Sequence, residues 1–437
     1  MHFVAWIVLC AIGTATAAAQ PQKNYEDREE FDVYDEVTKD FRANNFSKAL
    51  TDLEHWSEKY PDSDFKDDRQ VLYVQAYAGA TQAAKVLDAA GGVLANDRFA
   101  SANPATVIRV LYDVVSAIQR VPDPSPQQIA TAAKAAGLLD SYDTPPEGAT
   151  APAWAATRAD LRSAAQAALL YIAILPASRA MKANDCSGAE AAAMKAIEQF
   201  PESVQAAWLL ALANICLAKS DPAKSSLALY ELARASSLDP VKGMADGKWQ
   251  QATVLPYMEK SYTQFHGADP RGLKELKELA QQSPLPPAGF VIKSVAEIEG
   301  EQEAKLEIEH PELALWMKIR QALSGIDGEH YFESELKGVS IPELQGVLVE
   351  ARPACRPTEL RVAIRLPSDA RNPRENVALK LEKPLIGKPE IGSELHWTGV
   401  AAAFSKEPFL LTMDVEPFNV KKLTVSPCQP MPRRKLT

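Results

Sequence analysis

The sequence contains no G-x-S-x-G, no H-E-x-x-H and no G-x-G-x-x-G, so it offers no nucleophile elbow, zinc-protease helix or dinucleotide fingerprint. Its histidines, His2, His55, His266, His310, His330 and His396, are scattered, and no two lie within one helical turn. That leaves no local metal pair. Glu309-His310 and Glu329-His330 each set an acid beside a base, but sequence neighbours point to different faces. Gly243 to Trp249 (GMADGKW) approaches a phosphate loop, yet its spacing is short and Trp249 stands where Ser or Thr would be needed. No C-x-x-C pair occurs, which argues against thioredoxin and zinc-site chemistry. After the first 19 residues there is no second apolar run of 18, so the remainder is expected to be soluble. These absences describe a non-catalytic chain that calls for no metal and no cofactor.

What is present begins with an export signal. Residues 1–19 carry no Lys, Arg, Asp or Glu, and the apolar run Phe3 to Gly13 is too short to cross ~30 Å of hydrocarbon. Small residues follow, ending Ala17-Ala18-Ala19 before Gln20-Pro21, which predicts cleavage between Ala19 and Gln20. A retained membrane anchor is the alternative. Cleavage would remove Cys10 and leave Cys186, Cys216, Cys355 and Cys428. An even count in an exported chain is what disulfides give, with buried free thiols as the other reading.

The body of the chain is helical and repetitive. In Val204 to Pro240 a first helix carries Trp208, Ala211, Leu212 and Ile215; after a turn at Ser220-Asp221-Pro222, a second carries Ala228, Leu232 and Ala235, and Pro240 closes the unit. Spacings of three and four put these residues on one stripe, and the alanines allow close helix approach. Ala189, Ala193, Ala196 and Pro201 repeat the second half, with Pro176 expected to kink the helix before them. Near the N-terminus, Ala49, Leu53, Trp56 and Tyr60-Pro61 repeat it again, and Tyr73, Ala76 and Tyr77 open the next helix.

This pattern resembles the tetratricopeptide family, and FSKALTDLEHWSEKYPDS (residues 46–63) is similar to units of bacterial envelope proteins such as the barrel-assembly lipoproteins. Ala211-Leu212 departs from the family's Leu-Gly, and Ile215 from its Tyr. The resemblance covers most of residues 31–285, although 98–150 fit no repeat. It implies a mainly α fold, a solenoid of stacked helix pairs whose groove takes a protein or peptide partner. If successive first helices stack in parallel, the stacking pairs Cys186 with Cys216; Cys355 and Cys428 would then pin the tail to the sheet described next.

From about Phe332 the apolar period changes to two. Val347, Val349 and Ala351 alternate, as do Leu360, Val362 and Ile364; Val377, Leu379 and Leu381; Leu395 and Trp397; and Phe409, Leu411, Met413 and Val415. A last strand is expected near Leu423 and Val425. This predicts a small antiparallel barrel or sandwich, with lengths that resemble an OB-type barrel. The expected organisation is a signal peptide (1–19), N-terminal repeats (20–142), a second repeat group (153–285), connecting helices (286–330) and a β-rich domain (331–437). Asp143 to Pro152 and Ser283 to Gly289 read as breaks.

Residues 337–437 hold 16 Lys and Arg against 11 Asp and Glu, a net of +5; with a total of −10, residues 1–336 carry −15. An acidic array favours basic or neutral partners and disfavours nucleic acid. Arg352, Arg356, Arg371 and Arg374 on the β-domain loops offer an alternative function, gripping an anionic glycan. The leading expectation is an exported scaffold of the periplasm or cell envelope, or a secreted protein, touching membrane only through residues 1–19; a hydrolytic enzyme is the remotest reading.

Overall fold

Three tight turns set the architecture of the helical part. Ala43-Asn44-Asn45, Ala80-Thr81-Gln82 and Ala183-Asn184-Asp185 each hold the middle residue in the left-handed region, with φ of 55°, 57° and 56°. In the first, the N–H groups of Ala43, Asn44 and Asn45 donate to the carbonyls of Lys39, Phe41 and Asp40; the other two turns repeat the pattern. One left-handed residue thus caps the helix before it, and so short a turn returns the chain antiparallel.

The computed structural model describes residues 23–365 and 374–428. The expected cleavage site at Ala19-Gln20, and Arg371, lie outside them. The chain divides into two compact units, Met1–Ile292 and Lys293–Thr437.

The first unit is a continuous array of paired helices: α1 (Arg28–Arg42) and α2 (Phe46–Lys59), α3 (Lys66–Gly79) and α4 (Ala83–Ala95), α5 (Pro104–Ile118) and α6 (Pro126–Ser141), α7 (Ala151–Lys182) and α8 (Cys186–Gln199), α9 (Val204–Leu217) and α10 (Lys224–Ser237), α11 (Leu255–His266) and α12 (Pro270–Gln282). The second helix of each pair packs on the first of the next. Hairpins α1–α2 and α7–α8 share a register. Ala49, Leu53, Trp56 and Pro61 stand 140 positions before Ala189, Ala193, Ala196 and Pro201. Both hairpins also end alike, the N–H groups of Ser63 and Ser203 donating to the carbonyls of Tyr60 and Phe200.

Several details differ from the sequence expectation. Residues 98–150, which fit no repeat, hold α5 and α6, started by Asn103-Pro104 and by a capping box at Ser125 and Gln128. The break at Asp143 to Pro152 does not separate two groups: α7 starts at Ala151 and packs on α6, and one core runs from Val74 to Ala168. Pro176, expected to kink its helix, lies inside α7, which continues through it as a single helix. Its 32 residues, with a best-window mean hydropathy of 1.3, are long and apolar enough to span a membrane by length and composition. From Ala164 to Met181, however, only Pro176 and Arg179 are exposed, because α5, α6, α8 and α9 pack on it. On α9 the buried residues are Val204, Ala206, Ala207, Leu210, Ala211, Ala213 and Asn214; Trp208, Leu212 and Ile215 are only half-buried. Apolar residues surround α9, so the stripe that spacing selects is not the one that packing buries. The Pro-rich segment after α12 is tied back onto α10, where Tyr230 Oη donates to Ser283 O at 2.9 Å and Ile292 N to Ser226 Oγ at 2.9 Å.

The second unit carries α13 (Val295–Glu309), α14 (Pro311–Ser324) and strands β1 (Ser340–Arg352), β2 (Glu359–Ala363), β3 (Val377–Leu381), β4 (Lys388–Pro389), β5 (Glu394–Ser405), β6 (Leu410–Val415), β7 (Val420–Lys421) and β8 (Val425–Ser426). Helices expected as connectors therefore belong with the sheet, and Trp316, Ile319 and Leu323 of α14 enter its core beside Leu360, Leu379, Trp397 and Met413. The order β1-β2-β3-β6-β5 closes through a β1–β5 pairing into a small barrel. It is mixed rather than purely antiparallel, since β3 and β6 run parallel. A bulge between Leu348 and Glu350 also shifts the register in β1. It buries Leu348 and Ala351 and leaves Val347 and Val349 half-buried, breaking the expected alternation.

Candidate functional site

Two tyrosines one helical turn apart line an open cleft on the helical unit. Gln70, Tyr73 and Tyr77 recur at three- and four-residue spacing along α3, so they share a face. Lys85, Asp88, Ala89 and Gly92 do the same on α4, and Glu54 joins from α2. Together they line an open cleft of about 470 Å³. Its floor stays low because Ala89 and Gly92 are small; a Cβ on Gly92 would stand 3.2 Å from Gln70 Oε1.

The rings of Tyr73 and Tyr77 stack at 5.9 Å between centroids, and Lys85 Nζ lies 5.3 Å from the Tyr77 ring centre. Tyr73 Oη and Ser57 Oγ are 3.1 Å apart. Burial pushes both tyrosine hydroxyls up from 10.0, so they stay neutral and able to donate at physiological pH. Asp88 is held by Gln128 Nε2 at 2.9 Å from α6. Glu54 forms no ion pair among the described residues, and coulombic influence from its carboxylate reaches both tyrosines. Chemically this is a shelf: aromatic faces that take an aliphatic or cationic side chain, an amide for a main-chain partner, and a carboxylate for a basic one.

The repeat residues singled out by spacing have structural positions. Ala49, Trp56, Ala189, Ala196, Ala211, Ala228 and Ala235 are buried in helix interfaces. Trp208 packs edge-on against Trp249 and Tyr257, at 5.9 and 5.3 Å between ring centroids. Pro61 and Pro201 occupy equivalent turns, and Pro240 follows α10. In the sequence Tyr73 and Tyr77 read only as part of a helix opening the next repeat; half-burial of both rings on one open face separates them from core.

Cys186, the first residue of α8, and Cys216, in the last turn of α9, have Cα atoms 6.0 Å apart. Cys355, between β1 and β2, and Cys428, after β8, are 5.9 Å apart. Both separations are those of a disulfide, so the pairs expected from sequence are at bonding distance.

In the second unit a smaller cleft of about 170 Å³ is lined by Glu312, Gln345, Arg365, Glu394 and His396 among others, with no Ser, Thr or Cys. His396 Nδ1 lies 3.1 Å from Glu343 Oε1, and Lys421 Nζ is 3.1 Å from Glu343 Oε2; these two hydrogen bonds hold the Glu343 carboxyl below its ordinary value. Of the loop arginines, Arg352 is engaged with Glu350 at 2.6 Å. Among the described residues no group of three or more His, Cys, Asp or Glu is placed to hold a metal. No protein-family model matches the chain, and no curated protein matches it.

Proposed function

We propose that this chain is an exported scaffold of the cell envelope, in which a tetratricopeptide-type array presents the Tyr73–Tyr77 shelf to an extended peptide of neutral or basic character. The shelf carries the reading: it is a half-buried aromatic pair on an open face, flanked by Glu54 and Gln70, with Ala89 and Gly92 clearing the floor. The shared register and turns of α1–α2 and α7–α8 support the repeat assignment, because one local chemistry recurs at both places. The closed strand order of the second unit supports an OB-type barrel.

Binding to an immobilised peptide library should select segments with Lys or Arg beside an aliphatic residue. Tyr73→Ala with Tyr77→Ala should weaken that binding about tenfold or more, as loss of an aromatic anchor does. Unchanged binding by the double variant would refute the shelf.

Export has its own measurement. Intact mass of the protein recovered outside the cytoplasm should begin at Gln20 and show four cysteines that resist alkylation until reduced. A chain beginning at Met1, or four thiols that react without reductant, would contradict it.

A further inference from the structure

One helix of the second unit has no interior face. Val295–Glu309, α13, is 15 residues long and buries none of them. Val295, Ile298 and Leu306 are half-buried, the rest are exposed, and Ile308 is 83% exposed. Its neighbour α14, by contrast, buries Ala314, Trp316, Ile319 and Leu323. The reason lies in the sequence. Charged residues occupy every odd position from Glu297 to Glu309, and the even positions between them hold only uncharged ones such as Ile298, Gly300 and Leu306. A period of two suits a strand. Wound at 3.6 residues per turn, it scatters both sets around the helix, so no apolar stripe forms.

What holds α13 as a helix is therefore local. Its glutamates, alanines and leucine favour helix. A capping box starts it, the Ser294 N–H donating to Glu297 Oε2 at 2.7 Å and the Glu297 N–H to Ser294 Oγ at 3.3 Å. Ion pairs add to it: Lys293 with Glu301 at 2.6 Å, Lys305 with Glu309 at 3.9 Å, and Lys318 of α14 with Glu307. All are exposed, where such pairs contribute little. Against them stand Glu297 and Glu301, Glu299 and Glu303, and Glu303 and Glu307, like charges one turn apart that repel. Gly300 sits mid-helix, where a Cβ would meet nothing within 4 Å, so no packing calls for so weak a helix former. A helix of about 15 residues resting on these contributions alone is marginal in water.

We propose that α13 is a helix–coil joint, which melts and reforms as one unit while α14 and the barrel stay folded. It stands at the head of the second unit, which begins at Lys293. Melting lets the span from Val295 to Glu309 vary between about 20 Å as a helix and about 50 Å fully extended.

Hydrogen exchange of the whole protein, read by mass spectrometry at one pH, tests the joint. Amides of α13 should be protected about tenfold over an unstructured chain, and those of α14 about a thousandfold or more. Gly300→Ala should slow exchange about fivefold along all of α13 and leave α14 unchanged. Protection of α13 equal to that of α14 would overturn the proposal, because the helix would then open only with the barrel. No protection in α13 would overturn it as well, since no helix would form there. So would a Gly300→Ala effect confined to the amides beside residue 300, which marks fraying rather than a joint. A glutamate-specific protease gives a second readout: its cuts between Glu299 and Glu307 should precede those at exposed Glu275 of α12. The reverse order would contradict a melting α13.

Discussion

Replacing Glu231 by Gln should flatten the pH dependence of this protein's stability between about pH 5 and pH 8. Glu231 lies on α10, 1% exposed, and neither carboxyl oxygen has a hydrogen-bond partner among the described residues. Burial raises its pKa from 4.5 to about 8, and the nearby Arg234 offsets this only in part. Arg234 is occupied elsewhere: Nη1 donates to Ala280 O at 2.7 Å and Ser283 O at 2.6 Å, and Nη2 donates to the Pro201 carbonyl. Between pH 4.5 and about 8 the folded chain holds a proton on Glu231 that the unfolded chain has released. Stability from this group is therefore complete below pH 4.5 and is lost as pH rises toward 8. The effect is about 1.4 kcal/mol per pH unit at most, so wild type and Glu231→Gln should diverge by about 2–4 kcal/mol between pH 5 and pH 8. Urea unfolding at the two pH values measures it; parallel behaviour of the two proteins would show that Glu231 is ionised in the fold.

Trp56→Ala should cost about 3–5 kcal/mol, the range for removing a large buried aromatic. Trp56 is fully buried in the interface of α1, α2 and α3, and its Nε1 donates to Glu30 Oε1 at 2.9 Å. Glu30 is itself buried and accepts also from Ser63 Oγ and from the N–H of Glu26. Arg69 donates to the carbonyls of Trp56 and Tyr60 at 3.1 and 2.9 Å, and its guanidinium lies 5.5 Å from the indole ring centre. The alanine variant thus opens a cavity and removes one donor from a buried carboxylate. Trp56→Phe keeps most of the volume and should cost about 1–2 kcal/mol, the share of the lost hydrogen bond. Because repeat arrays open locally, amide exchange in α1 and α2 should be read beside global unfolding. Unaltered exchange in both helices would show that Trp56 does not hold this hairpin together.

Local chemistry explains what the sequence revealed. Hairpins with a left-handed turn residue and a closing aromatic-Pro pair, as at Asn44 and Tyr60-Pro61, announce themselves. The α5–α6 pair lacks that ending, so no repeat shows there in the sequence, although Asn103-Pro104 and the Ser125–Gln128 capping box mark both helix starts. In the barrel, Leu360, Val362, Leu379, Leu395, Trp397, Leu411 and Met413 alternated as their burial requires. The β1 bulge and the parallel β3–β6 pairing did not show, because both depend on partners distant in sequence. Glu231 reads as an ordinary helix-face glutamate until the neighbours of α10 are placed. Tyr73 and Tyr77 were found as a helix pattern, but a shelf needs α2 and α4 beside them.

The peptide-binding role proposed for that shelf is tested most directly by a photo-crosslinking amino acid at Tyr73, compared with one at exposed Asp160 of α7. A discrete adduct should form from Tyr73 and be displaced by the library-selected peptide, with none from Asp160. Absence of an adduct at Tyr73, or the same adducts from both positions, would contradict the account.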